Sequence, residues 1–147
     1  MVAETLKLLK KTENGNVPEK FFTEKELDEL VTDKSDRGIV KKILELLQDS
    51  KAEEIVLIDV RDRSNLADYM FICEGRSQMH CRGIAENIMF RLKHQGEIHL
   101  GVEGELEGNW VLIDYGNIIL NVFHPEIRKY YNLEELYAPH QLKDGTN

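Results

Sequence analysis

Residues Asn109–His124, NWVLIDYGNIILNVFH, alternate apolar and mixed positions on either side of Gly116-Asn117. A two-residue loop that matches strand twist needs positive φ, which Gly and Asn tolerate best, so this stretch predicts a β-hairpin. With the turn at those two residues, Tyr115 faces Ile118 and the pairs run outward. One face carries Val111, Ile113 and Tyr115 against Val122, Leu120 and Ile118, and belongs on a core. The other carries Trp110, Leu112 and Asp114 against Phe123, Asn121 and Ile119, neither a clean core nor a clean solvent face. Covering of that mixed face by a helix is the plainer expectation. Covering by another molecule is the sharper one.

The remaining chain falls around this hairpin. Residues 1–35 are Lys- and Glu-rich, broken by Gly15 and Pro18, and read as an extension, mobile in the main. Within it, Thr23 and Glu26 form a capping box before a short helix over Glu24–Val31, whose Leu27, Leu30 and Val31 make one narrow stripe. Asp36 caps a helix from about Arg37 to Asp49, with Ile39, Val40, Ile43, Leu44 and Leu47 at helical spacing. Ile55–Val60 and Tyr69–Glu74 read as strands. Gly75-Arg76-Ser77 then opens a helix to about Gln95, stopped by Gly96, burying Cys81, Ile84, Ala85, Ile88, Met89 and Leu92. A third strand over Glu97–Val102 is expected parallel to the second across that helix. Pro125 starts a last helical stretch with an aromatic-rich end packing back on the sheet. Residues 138–147 read as a tail.

Composition narrows the function classes. The chain has 147 residues, 41% hydrophobic and 31% charged, with a formal net charge of −8. That balance argues against a nucleic-acid backbone as the main partner and suits a basic partner or simple solubility. From His94 to Ile127 there are six acidic residues and no Lys or Arg, and this span surrounds the hairpin. No apolar run approaches a membrane span. Cys73 and Cys81, without a secretory signal or an Arg-rich transit peptide, read as reduced, buried thiols of a cytoplasmic protein.

Candidate chemistry is thin. The five His and two Cys are scattered, away from metal-ligand spacing, so no metal is expected. Ser77 lacks a nucleophile elbow, and Cys81 lies on a buried helix face. Nucleotidyl transfer would use a Gly-Ser turn and two or three carboxylates on adjoining strands to hold Mg²⁺. Gly75 and Ser77 resemble the turn, but the strand after that helix offers His99, Leu100 and Gly101 where aspartates are needed. Asp114 alone cannot hold two metals.

Five linked motifs now carry a resemblance: Leu66-Ala67-Asp68-Tyr69, Gly101-Val102-Glu103-Gly104, Trp110-Val111-Leu112, Asp114-Tyr115-Gly116 and Val122-Phe123-His124-Pro125. In this order, over residues 36–137, the chain resembles the ribosomal silencing factor (Iojap) family. The resemblance implies an α/β (α+β) domain with a single mixed sheet of about five strands flanked by helices, nucleotidyltransferase-like without the active site. It implies a non-enzymatic repressor without cofactor. Its partner would be the large ribosomal subunit, bound through a basic subunit-face protein, number fourteen of the large-subunit series, so that the small subunit cannot join. Carried over, the partner-binding positions are Trp110, Val111, Leu112, Asp114 and Tyr115, with Gly116 shaping the turn and Glu103-Gly104 just before. Arg76 stands where the family often has Thr or Ser.

Three function classes follow. The first is a ribosome-binding repressor acting by occlusion, with little or no direct nucleic-acid binding and no membrane. The second is a nucleotidyltransferase-like enzyme or nucleotide-binding protein using Gly75, Ser77, Asp59 and Asp68. The third is a scaffold that homodimerises weakly through the hairpin's exposed face.

Overall fold

The two strands of the hairpin lie inside one mixed sheet rather than at its margin. The computed structural model describes residues 24–61 and 65–137, with the backbone of a short strand at 5–7. In chain order the elements are β1 (Thr5–Lys7), α1 (Glu24–Leu30), α2 (Lys34–Asp49), β2 (Glu53–Asp59), β3 (Tyr69–Glu74), α3 (Gln78–His94), β4 (Gly101–Glu103), β5 (Trp110–Asp114), β6 (Ile118–Phe123), α4 (Pro125–Tyr131) and α5 (Leu133–Tyr137). The sheet order is β1-β2-β3-β6-β5-β4. Only β3 and β6 pair in parallel; every other neighbour is antiparallel. The expected sheet of about five strands is thus present over β2–β6, with three residues of the N-terminal extension added as a sixth strand.

The hairpin register is the one the alternation dictates: Trp110 opposes Phe123, Val111 opposes Val122, and so on to Asp114 opposite Ile119. Positive φ falls on Gly116, at +90°. One face of the sheet packs beneath α1, α2 and α3 in the larger core, which includes Phe71, Val111, Ile113, Leu120 and Val122, all fully buried. The opposite face holds a smaller cluster, Val56, Ile58, Met70, Ile72 and Phe123, with Ile127, Leu133 and Tyr137 of α4 and α5 packed on it. Both faces of β3 and β6 are therefore covered, which explains their near-continuous apolar sequence.

Helix starts follow local chemistry. Ser77 caps α3, its hydroxyl accepting from the His80 amide at 3.0 Å. Gly75 is required by crowding: a Cβ there would lie 2.8 Å from both the amide nitrogen and Sγ of Cys81. Steric approach, not positive φ, thus sets this glycine. The cap of α2 is Asp33, whose carboxylate accepts from the Asp36 amide at 3.0 Å, and the helix begins at Lys34. Asp36, expected as the cap, lies in the first turn and accepts from Asn117 Nδ2 of the hairpin turn at 3.2 Å.

Two further elements differ from expectation. The third strand is shorter, and it lies at the sheet edge beside β5. It runs in the same direction as β3, but β6 takes the place beside β3. β6 is buried at all six positions and so suits the sheet centre, whereas Ile98 and Leu100 before β4 are exposed. Glu97 is still completing the helix end, its amide donating to Leu92 O at 2.8 Å. The second difference is α1, placed in an extension read as mobile: Leu27, Leu30 and Val31 are buried in the larger core. Each such side chain contributes about 1.5–3 kcal/mol on burial, enough to hold a short helix against the domain. Residues 138–147, read as a tail, lie outside the described residues, as do Asp62 and Arg63.

Candidate partner-binding surface

Trp110 sits at the start of β5, half-buried, on the mixed face of the sheet. Its indole stacks on the buried Phe123 ring at 4.9 Å between centroids and 25° between planes. Tyr131 of α4 covers it from the other side, 4.8 Å away at 49°, and Tyr130 meets Tyr131 edge-on at 5.1 Å. Beneath the indole, Nε1–H donates to Asn121 Oδ1 at 2.9 Å, and Asn121 Nδ2 donates to the Phe71 carbonyl at 3.2 Å. A fully buried Asn is thereby satisfied by its opposite-strand neighbour and by β3, so the mixed face is a built structure with the Trp as its lid. The expectation of a helix cover holds in part: α4 and α5 cover its Phe123 end, while Trp110, Leu112 and Asp114 stay partly open.

The other expected positions divide by side of the sheet. Leu112 is half-buried, with Glu103 opposite it on β4. Asp114 turns back on the hairpin loop, accepting from the Gly116 amide at 2.7 Å. Val111 is fully buried among the helices and cannot touch a partner. Its place in the motif is structural, because alternation sends it to the core side. Tyr115 also faces the helix side, packed against the larger core with its hydroxyl buried. Burial, with Glu97 adding to it, pushes that hydroxyl's pKa up to about 12.

The end of β4 and the loop from it to β5 bring Glu103, Glu105 and Glu107 to the surface. Gly104, at φ +78°, passes so close to the Trp110 carbonyl that a Cβ would lie 1.9 Å from its oxygen. Only glycine fits, which accounts for the Glu-Gly pair of the motif.

Arg128 of α4 is a functional support that its residue type conceals. It is buried, and its guanidinium donates to Glu134 through Nε and Nη2 at 3.1 and 2.9 Å, to the Glu54 carbonyl at 2.7 Å and to Glu74 at 3.3 Å. This clamp fixes α4 and α5, and with them Tyr131, to the ends of β2 and β3. Burial pushes the Glu74 carboxyl up, with Arg128 pulling against it.

Two of the residues proposed for nucleotidyl transfer, Asp59 and Ser77, are engaged in local structure. Asp59 is buried and bound by Arg61 at 2.6 Å. Ser77 is spent on its cap. A depression of about 410 Å³ lies between Arg76, Ser77, Gln78, Asn109, His124, Glu126 and Ile127, at the ends of the parallel strands, with one carboxylate in its lining. Among the described residues, no group of three or more His, Cys, Asp or Glu is placed to hold a metal. Burial raises the thiol pKa of both Cys73 and Cys81, so neither is a ready nucleophile.

The profile described as "Ribosomal silencing factor during starvation" matches residues 32–147. The chain belongs to the ribosomal silencing factor family. It is 36% identical over 108 residues to ribosomal silencing factor RsfS of Bacillus subtilis, covering 74% of this chain and 92% of that one. It is 25% identical over 108 residues to the mouse protein named mitochondrial assembly of ribosomal large subunit protein 1, covering 71% of this chain and 47% of that protein. A crystal structure of a Chromobacterium violaceum protein superposes with a TM-score of 0.67 at 32% identity, covering 69% of this chain and 84% of that one. No helix among the described residues is long and apolar enough to cross a membrane.

Proposed function

We propose that the chain is a non-enzymatic, cytoplasmic repressor of translation that binds the large ribosomal subunit and blocks subunit joining. The partner on the subunit would be a basic ribosomal protein of the subunit face, large-subunit protein fourteen as the family resemblance implies. The observation that carries this reading is the juxtaposition at Trp110. A half-open aromatic ring, supported by Phe123 and Tyr131, stands on the sheet face that Leu112 shares with its cross-strand partner Glu103, and the loop leading into β5 presents Glu105 and Glu107. Aromatic anchors in a supported pocket carry most of the affinity of protein interfaces, and opposed charge sets orientation and rate. A Lys- and Arg-rich protein surface meets both requirements; an RNA backbone would be repelled by the same loop. Trp110, Leu112, Asp114, Glu103 and Gly104 form this surface, with Gly116 shaping the turn and Val111 and Tyr115 holding the hairpin from behind. Repression follows from geometry: a domain seated on the joining face occupies space the small subunit needs. The test is sedimentation of the purified protein with purified large subunits, with and without small subunits. Comigration with the large subunit and a reduced joined-ribosome peak support the reading; protein left at the top of the gradient at micromolar concentration refutes it.

A further inference from the structure

The loop from Glu103 to Gly108 holds one leucine out of the protein at a fixed place. Gly108, at φ +76°, lies against α3 so closely that a Cβ would be 2.4 Å from the Gln78 carbonyl oxygen. Its amide closes the loop on the Gly104 carbonyl at 3.0 Å. Arg82 Nη1 donates to the Leu106 carbonyl at 3.1 Å, and Gln78 Nε2 to Asn109 Oδ1 at 2.6 Å. The loop is thus tied at its tip and both ends, yet the Leu106 side chain is 86% exposed, and Met79 on α3 is 73% exposed. Between them runs a groove of about 370 Å³, lined also by Arg82, Gly83, Glu86 and Glu105. Gly83 leaves its floor bare: nothing lies within 4 Å of where a Cβ would stand. Two apolar side chains across an open groove, with carboxylates at the rim, form the inverse of a basic segment carrying an apolar side chain.

We propose that this groove is a second docking surface, beside the hairpin, for a Lys- or Arg-bearing protein segment of the large ribosomal subunit that seats an apolar side chain between Leu106 and Met79. The proposal rests on the ribosome-binding reading above. Charge selects the occupant: Glu86 and Glu105 line the groove, and the same stretch of chain carries Glu103 and Glu107, all exposed. The one cation in the lining, Arg82, is engaged by the loop. A second copy of a chain with net charge −8 would bring acid to acid. The loop that walls the groove leads into β5, and its Gly104 packs on the Trp110 carbonyl; α3 lies on the opposite face of the sheet from the Trp110 ring, so the groove is a contact separate from that ring.

The experiment is co-sedimentation of the full chain with purified large subunits over a series of salt concentrations. The variants are Leu106→Ser with Met79→Ser, Glu86→Gln with Glu105→Gln, and Trp110→Phe. The Leu106 and Met79 side chains are exposed, so their variant keeps the wild-type melting temperature while binding falls about tenfold or more. The charge variant weakens binding at low salt and flattens its salt dependence. Wild-type-like binding by the Leu106/Met79 variant, or an unchanged salt slope in the charge variant, overturns the groove. If Trp110→Phe weakens binding while these variants do not, the groove falls and the hairpin reading stands. Failure of the wild-type chain to sediment with the subunit overturns both.

Discussion

Replacing Trp110 tests how the hairpin is built before it tests binding. In Trp110→Phe the ring that stacks on Phe123 and Tyr131 is largely kept, but the Nε1–H donor at 2.9 Å from Asn121 Oδ1 is lost. Asn121 is fully buried, so its oxygen is left without a partner where water does not reach. Stranding a buried acceptor costs about 1–3 kcal/mol, and the half-buried position of the ring places the expected loss near 2 kcal/mol. Asn121→Leu removes the acceptor instead, and Trp110 Nε1, on a half-open side chain, can turn to water. In the double variant the stranded oxygen is gone, so the losses do not add; the coupling energy should be about 1–2 kcal/mol. Urea unfolding of the four proteins, followed by circular dichroism because two of them lack the chain's single Trp, gives the cycle. A Trp110→Phe loss below about 0.5 kcal/mol, or strictly additive losses, refutes the account of Trp110 as the lid of a satisfied polar pair. Trp110→Ala removes a packed ring as well as a contact, so binding by that variant must be measured beside its stability.

Three other outcomes follow from the same structure. Arg128→Ala leaves Glu74 and Glu134 without their cation and should cost about 3–5 kcal/mol; hydrogen exchange should show residues 125–137 losing protection first, and unchanged protection there contradicts the clamp. Tyr115→Phe removes a hydroxyl that is buried and has no protein partner among the described residues, so stability should be unchanged or raised by about 1 kcal/mol, with subunit binding intact. Because the Tyr115 pKa rises from 10.0 to about 12 on folding, the folded state holds its proton more tightly; stability should fall as pH climbs from 10 to 12, and less so in Tyr115→Phe. Leu30→Ala should cost about 2–5 kcal/mol if α1 belongs to the core, and an unchanged denaturation midpoint would return that segment to the status of a loose extension.

What the sequence disclosed and what it withheld separate by range of interaction. The β5–β6 register was legible because strand alternation has a period of two and Gly116-Asn117 fixes the phase. The Ser77 cap was legible because it is made within three residues. The neighbour of β3 was not, since a strand's place in a sheet depends on burial at both its faces, and β6 outcompetes the short β4 for the centre. The role of α1 was hidden because two leucines in a seven-residue helix, with Val31 just after it, look the same docked or free. Arg128 gave no signal at all: arginine is ordinarily a surface residue, and only the convergence of Glu54, Glu74 and Glu134 makes its burial tolerable. Within the candidate surface, parity set Trp110 and Leu112 on one side and Val111 and Tyr115 on the other, but only the fold shows which side is open. The Tyr131 cover comes from a helix packed back across the sheet, which the aromatic-rich end of the chain foreshadowed.

The measurement that bears most directly on the account is a sucrose-gradient profile of purified large and small subunits mixed with increasing amounts of this protein. The account predicts that the protein migrates with the large subunit and that the joined-ribosome peak falls as its concentration rises. An undiminished joined peak, with the protein bound or unbound, would contradict repression by occlusion.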